Sequence, residues 1–151
     1  LKIDYTIGGT SYTATTLINV PVENKKTVNS FLGSDNVRYV VAYIEPKSPK
    51  VAINEMTLGV WKMQDMMTFP VVDGYTVKVD PRMPGMGNHS APGNMDMVQG
   101  SDGLYHGKVG FSMTGYWKIN LMLKNSTGEV IKGEAITTDV TESSLNLKLE
   151  F

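Results

Sequence analysis

The chain has 151 residues, with 14 basic and 15 acidic side chains, a formal net charge of -1 and no cysteine. This length suits one domain with an ordinary core, and a near-neutral charge without basic runs argues against a nucleic-acid partner. The lack of cysteine excludes disulfide frameworks, thiolate zinc sites and thiol nucleophiles. We therefore expect a single domain over residues 1–151, in which any metal is held by His, Met, carboxylate or backbone ligands.

The first half of the chain is predicted to form β-strands, because short runs rich in Val, Ile, Thr and Tyr alternate with Gly, Asn, Asp and Pro. Residues 1–20 predict a hairpin that turns at Gly8 and Gly9, which supply the positive φ of a tight turn. No segment has a sustained helical period. Three further strands are predicted before the middle of the chain, at "VRYVVAYIE", "INEMTLGVW" and "YTVKVDP".

The second half predicts a hairpin over a core, "LYHGKVGFSM" and "GYWKINLMLKN", followed by strands at "STGEVIKGEAI" and "SSLNLKLEF". Alternation gives the second strand of the hairpin one apolar face, made of Trp117, Ile119, Leu121 and Leu123. Eight to ten short strands in one domain are typical of a β-sandwich. We therefore predict an all-β chain of this class.

Between Val79 and Leu104 lie 24 residues without a strand pattern, and four of the ten methionines fall among them. Loops of this length are usually functional or disordered. One of the two histidines lies inside the loop and the other follows it. Thioether and imidazole without thiolate suit copper, with Cu(I) the best match for Met and Cu(II) for His. The predicted ligands are Met83, Met86 and His89, with Met95, Met97, His106 and Met113 as candidates to complete the shell.

The same Met and His residues also have interpretations other than a copper site. Methionine fills irregular gaps in cores, and His106 could be an ordinary strand histidine. The loop itself could fold back and cap the open end of the sandwich. Alternatively, the chain could be a structural or protein-interaction module of a larger surface protein that uses the same loop as a binding surface. The possible core gap-fillers are Met56, Met63, Met66, Met67 and Met113.

Neither enzymatic nor membrane-spanning features are found in the sequence. No nucleophile elbow, phosphate loop or recognisable carboxylate dyad is present, so we expect a non-catalytic protein. The longest apolar run, "YVVAYI", is far shorter than the ~20 residues of a spanning helix. The first residues, "LKIDYT", show no signal peptide, as also expected of a mature chain. Any membrane attachment would need a tether outside these residues.

The segments "MPGMGNHS" and "GLYHGKVGFSMTGYWKINLML" resemble the YtkA-like family and its relative, the FixH-like proteins. The resemblance covers about residues 40–132 and leaves the hairpin 1–20 and the strand 143–151 outside. It implies an immunoglobulin-like β-sandwich in the bacterial periplasm or cell envelope, often a lipoprotein or membrane-tethered. It also implies links to copper handling or to the assembly of haem-copper oxidases, so the expected partner is a copper ion or a copper-handling envelope protein. The Met-rich "KMQDMM" departs from the family pattern as a local addition.

Overall fold

The structure, a computed structural model, describes residues 1–18 and 25–151 and contains twelve strands in those ranges. A short 3-10 helix, Pro84–Met86, is the one helical element there. The strands are β1 (Lys2–Ile7), β2 (Thr10–Thr15), β3 (Val28–Leu32), β4 (Arg38–Glu45), β5 (Ile53–Lys62), β6 (Thr76–Met83), β7 (His89–Ser90), β8 (Met95–Gln99), β9 (Tyr105–Gly110), β10 (Tyr116–Lys124), β11 (Val130–Lys132) and β12 (Leu145–Glu150).

Ten of these strands form one antiparallel sheet that folds over on itself into a sandwich. Its order is β11-β10-β6-β8-β9-β5-β4-β3, with β12 also paired to β10 and β7 paired to β6. The two margins of the sheet meet, because the backbones of Lys26 and Lys148 exchange two hydrogen bonds of 2.9 Å. The Ser34 amide donates a further bond of 2.9 Å to the Ile131 carbonyl. The predicted β-sandwich is confirmed, and its sheet is nearly closed.

The core lies between the folded halves of this sheet. It is filled by the apolar side chains that occur at every second position of the strands. Along β10, Trp117, Ile119 and Leu123 are fully buried, as the sequence pattern predicted. Trp117 and Ile119 lie directly opposite Leu149 and Leu147 of β12, so that two apolar faces are paired. Such cross-strand pairs are the unit of sheet stabilisation.

The first two strands form a separate two-stranded sheet, β1 with β2. The predicted turn is confirmed, since Gly8 and Gly9 have φ values of 56° and 81°. Such a left-handed backbone costs glycine little because it has no Cβ. The predicted hairpin extended to residue 20, and residues 19 and 20 lie outside the described ranges.

The prediction of a strand-free loop between Val79 and Leu104 is wrong. Strand β6 continues through Pro81 to Met83, and β8 pairs with both β6 and β9. A proline is tolerated because residues 78–81 of β6 pair on one side with β10, while β8 and β7 pair only with the residues on either side of that stretch. The sequence of β8, "MDMVQ", has too few β-branched residues to indicate a strand.

The possible core methionines have different environments. Met56 is buried, as a gap-filler should be, whereas Met66 and Met67 project into solvent, so the core interpretation is wrong for both. They lie in the turn between β5 and β6, where no packed layer covers them. Met63 is half-buried, and Met113 is partly exposed in the turn before β10. Of the helices described, none has the length and hydropathy needed to cross a membrane.

Candidate metal centre

Two candidate ligands face each other across the tight hairpin formed by β6 and β7. Met83 ends β6 and is the direct antiparallel partner of His89 in β7, which brings the two side chains to the same face. The connection contains the 3-10 helix and then Gly87 and Asn88, with φ values of 64° and 60°. Glycine and asparagine tolerate this left-handed conformation best. The turn chemistry of "PGMGN" therefore fixes the pairing of Met83 with His89.

A second segment, the turn 112–115 before β10, lies against this hairpin. Nε2 of His89 and Oγ of Ser112 are hydrogen bonded at 3.2 Å. The Met83 methyl lies 3.3 Å from the point where a Cβ on Gly115 would stand. The Trp117 indole N–H donates a bond of 3.0 Å to the Met113 carbonyl. The structure therefore brings Met83, His89 and Met113 to one end of the sandwich.

Met86 belongs to the same end, because it lies in the connection between Met83 and His89. The two thioethers differ in exposure, since Met83 is 6% exposed and Met86 is 57% exposed. Met83 is held at the margin of the core, and Met86 is exposed to solvent. We call Met83, Met86, His89 and Met113 the Met/His end.

Side-chain amides of Asn88 and Asn94 hold the segment between these two residues in place. The Asn94 side chain accepts a bond of 2.8 Å from the Gly110 amide and donates one of 2.7 Å to the Ala91 carbonyl. The Asn88 side chain donates a bond of 3.1 Å to the Thr141 carbonyl. These bonds hold the β6–β7 turn at Asn88 and the segment before β8 at Asn94, which preorganises any site carried there.

Gly110 allows this anchoring, because a Cβ there would stand 2.2 Å from the Pro92 carbonyl oxygen. We expect Gly110→Ala to lower the free energy of unfolding by about 1 to 3 kcal/mol, the usual cost of overpacking. Urea denaturation measures this change. Gly85→Ala is the matched control, since no atom lies within 4 Å of a Cβ at that position. Equal free energies of unfolding for the two variants would contradict the close approach of residues 91–94 to β9.

The charges beside the Met/His end are paired. The Arg82 guanidinium makes two bonds to the Asp80 carboxylate, of 2.6 and 2.9 Å, and this contact raises the pKa of Arg82. Lys118 forms an ion pair with Glu142, which lowers the pKa of that carboxyl. Neither of these two cations therefore presents an uncompensated positive charge to a metal ion in the loop.

The other three predicted ligands lie elsewhere. Met97 is fully buried in the core, and Met95 is exposed opposite Lys108 in the middle of β9. His106 lies near the start of β9, at the end of that strand away from Gly110. Its Nε2 bonds Asp102 at 3.0 Å and its Nδ1 bonds Thr57 at 3.3 Å. The imidazole lowers the pKa of Asp102 through this hydrogen bond.

Three residues that shape the Met/His end were not identified as part of it from the sequence. Ser112 bonds the imidazole, Gly115 gives room for the Met83 methyl, and Trp117 holds the Met113 carbonyl. The contacts of Ser112 and Gly115 depend on how the turn packs on the loop, for which the sequence has no signal. Over residues 1–18 and 25–151, no group of three or more His, Cys, Asp or Glu side chains is placed to hold a metal ion.

Comparison with known proteins gives one family and one related structure. The model of the family described as YtkA-like matches residues 33–122, which overlap most of the segment predicted from the resemblance. A copper-bound single-residue variant of P19 from Campylobacter jejuni has a TM-score of 0.45 to this chain and 11% sequence identity. The likeness covers 84% of this chain and 96% of that chain. No curated protein sequence matches significantly.

Proposed function

Because the chain belongs to the YtkA-like family, we propose that it is a non-catalytic domain of the bacterial cell envelope that binds copper at its Met/His end. The residues proposed to hold the ion are Met83, Met86, His89 and Met113. A copper ion, or a protein that delivers or receives one, is the proposed partner. Residence in the periplasm, as a lipoprotein or a tethered protein, belongs to the same proposal.

The pairing of Met83 with His89 is the observation that carries this proposal. Two donor residues that are six positions apart in sequence become direct neighbours, and the turn with Met113 packs on them through Ser112 and Gly115. A thioether and an imidazole side by side match the preference of Cu(I) for soft sulfur and of copper in general for imidazole. Calcium and magnesium prefer oxygen ligands and fit this donor set poorly.

The contacts of His89 are compatible with a role as a ligand. Its Nε2 shares a bond with the Ser112 hydroxyl, and no protein group within the described residues is hydrogen bonded to its Nδ1. Either nitrogen could therefore face a metal while the other keeps or gains a hydrogen bond that fixes the ring, as is usual for ligating histidines. His106 has both nitrogens engaged, with Thr57 and Asp102.

Met83 and Met86 would have different roles as ligands, because their side chains differ in exposure to solvent. Met83 is held by the core margin and by Gly115, so it would supply a fixed donor. Met86 is exposed on the short helix and would close over an ion that has already reached Met83 and His89. A bound copper ion would supply no reaction in this proposal; the domain stores or transfers it.

The two histidines provide the experiment that tests this proposal. His89→Ala is expected to weaken copper binding by at least about tenfold, since even the loss of an outer-shell partner of a metal ligand costs about 10- to 100-fold. The loss should be larger for Cu(II) than for Cu(I), because imidazole suits the harder ion better than thioether does. Competition titrations with chromophoric chelators for each oxidation state measure both affinities.

His106→Ala is the matched control for that experiment. It removes the other imidazole of the chain, which lies at the far end of β9 and bonds Asp102. Its copper affinities should equal those of the wild type. Equal loss in the two variants, or loss in His106→Ala alone, would move the site away from the Met/His end.

A further inference from the structure

Two methionines are displayed to solvent in the turn between β5 and β6. Met66 is 81% exposed and Met67 is 92% exposed, the highest values among the methionines of the described residues. Single exposed apolar side chains are ordinary on a protein surface, whereas large ones that are exposed next to each other call for an explanation. Packing against the core does not explain them.

The turn that carries these thioethers is hydrogen bonded throughout. The Asp65 carboxylate accepts a bond of 2.8 Å from the Met67 amide. The Thr68 carbonyl accepts a bond of 3.0 Å from the Gln64 amide, and the Lys62 amide donates one of 3.1 Å to the Pro70 carbonyl. The backbone therefore holds both side chains outward, at the tip of an ordered structure.

The chemistry at the tip suits a soft cation better than an apolar partner. Asp65 is exposed in the same turn, and its carboxylate accepts the hydrogen bond from the Met67 amide. A carboxylate beside two thioethers disfavours burial in a lipid layer and attracts a positive ion. Met63, half-buried at the base of the turn, is the next thioether along the chain.

From these observations we propose that Met66 and Met67 form a second binding site for Cu(I), separate from the Met/His end. Neighbouring thioethers without thiolate select this ion. The site would be open and would exchange its ion readily, because both thioethers project into solvent. This suits an entry point at which copper is first captured.

The two sites are at opposite ends of the sandwich. Ile53 at the start of β5 pairs with Gly110, which lies two residues before Ser112, the hydrogen-bond partner of His89 in the Met/His end. Lys62, at the start of the turn, is nine residues further along β5, which is roughly 30 Å at the usual rise of a strand. One ion cannot be shared between them, so each site can be tested without the other.

Titration with Ag(I), a redox-inert substitute for Cu(I), tests this proposal in a chloride-free buffer. In protein labelled with 13C at the methionine methyls, the signals of Met66 and Met67 should shift as silver is added. The buried methyls of Met56 and Met97 serve as internal references. The methyls of Met83 and Met86 report the Met/His end separately, so failure at one site is distinguishable from failure at the other.

A double variant, Met66→Leu with Met67→Leu, should bind one silver ion fewer than the wild type. Met122→Leu is the control, since it removes a lone half-buried thioether of β10 and should leave the number of bound ions unchanged. Unchanged stoichiometry in the double variant, or unshifted Met66 and Met67 methyls, would overturn the proposal. A response of these methyls to phosphatidylglycerol vesicles but not to silver would also overturn it and would assign the turn to a membrane surface.

Discussion

Replacing Trp117 with Ala is expected to lower the free energy of unfolding by about 3 to 5 kcal/mol, the range for removing a large buried aromatic side chain. The indole is fully buried, and its ring centroid lies 5.2 Å from that of Phe111, which in turn contacts Phe151 at 5.2 Å. The variant also loses the indole N–H bond to the Met113 carbonyl. Urea or thermal denaturation followed by circular dichroism measures the loss.

Trp61→Ala is the control for this result. Trp61 is only half-buried, and its ring lies over Gly59, so its removal should cost clearly less than that of Trp117. If Trp117→Ala unfolds at the same denaturant concentration as the wild type, the assignment of the inward face of β10 is wrong.

Changing Met83 and Met86 together to Leu is expected to keep the fold and to remove copper binding at the Met/His end. Leucine and methionine are similar in volume, and such exchanges usually cost less than about 1.5 kcal/mol even in a core. Cu(I) affinity should fall at least about a hundredfold, since two soft donors are lost and a single outer-shell change already costs about 10- to 100-fold. Anaerobic competition with a chromophoric Cu(I) chelator measures the affinity.

Met95→Leu with Met97→Leu is the matched control, because it removes the same number of thioethers from the same stretch of chain. Met97 is in the core and Met95 is opposite Lys108, so this pair should bind copper as the parent does. Both double variants are made in a protein that also carries Met66→Leu and Met67→Leu. The proposed second copper site, in the turn between β5 and β6, then does not contribute. Equal affinity of the Met83 and Met86 pair and its parent would instead favour a partner surface, where Leu replaces Met well.

Much of the fold was predictable because apolar and polar residues alternate along several strands. The apolar positions of β10 and β12 recur every second residue, and the Gly8-Gly9 turn is a local signal. Strand β8 was missed because its backbone pairs with β6 and β9 outweigh the weak strand propensity of "MDMVQ". Long-range pairing of that kind leaves no local pattern to recognise.

The grouping of the candidate ligands was predictable only in part. Met and His cluster in the sequence, and four of the seven candidate ligands lie together at the Met/His end. Met97 lies in the same Met-rich stretch of the sequence as Met95, yet the pairing of β8 with β6 and β9 buries its side chain. His106 is distant because β9 carries it to the other end of the sandwich. Only tertiary pairing separates these residues from Met83 and His89.

X-ray absorption at the copper K edge tests most directly whether the loop thioethers hold the ion. The sample is the Cu(I) complex of the Met66→Leu and Met67→Leu variant, loaded with one equivalent of copper. The proposed site predicts sulfur scatterers in the first shell together with imidazole nitrogen from His89. A first shell of nitrogen and oxygen alone, or copper that does not stay with the protein on desalting, would contradict it.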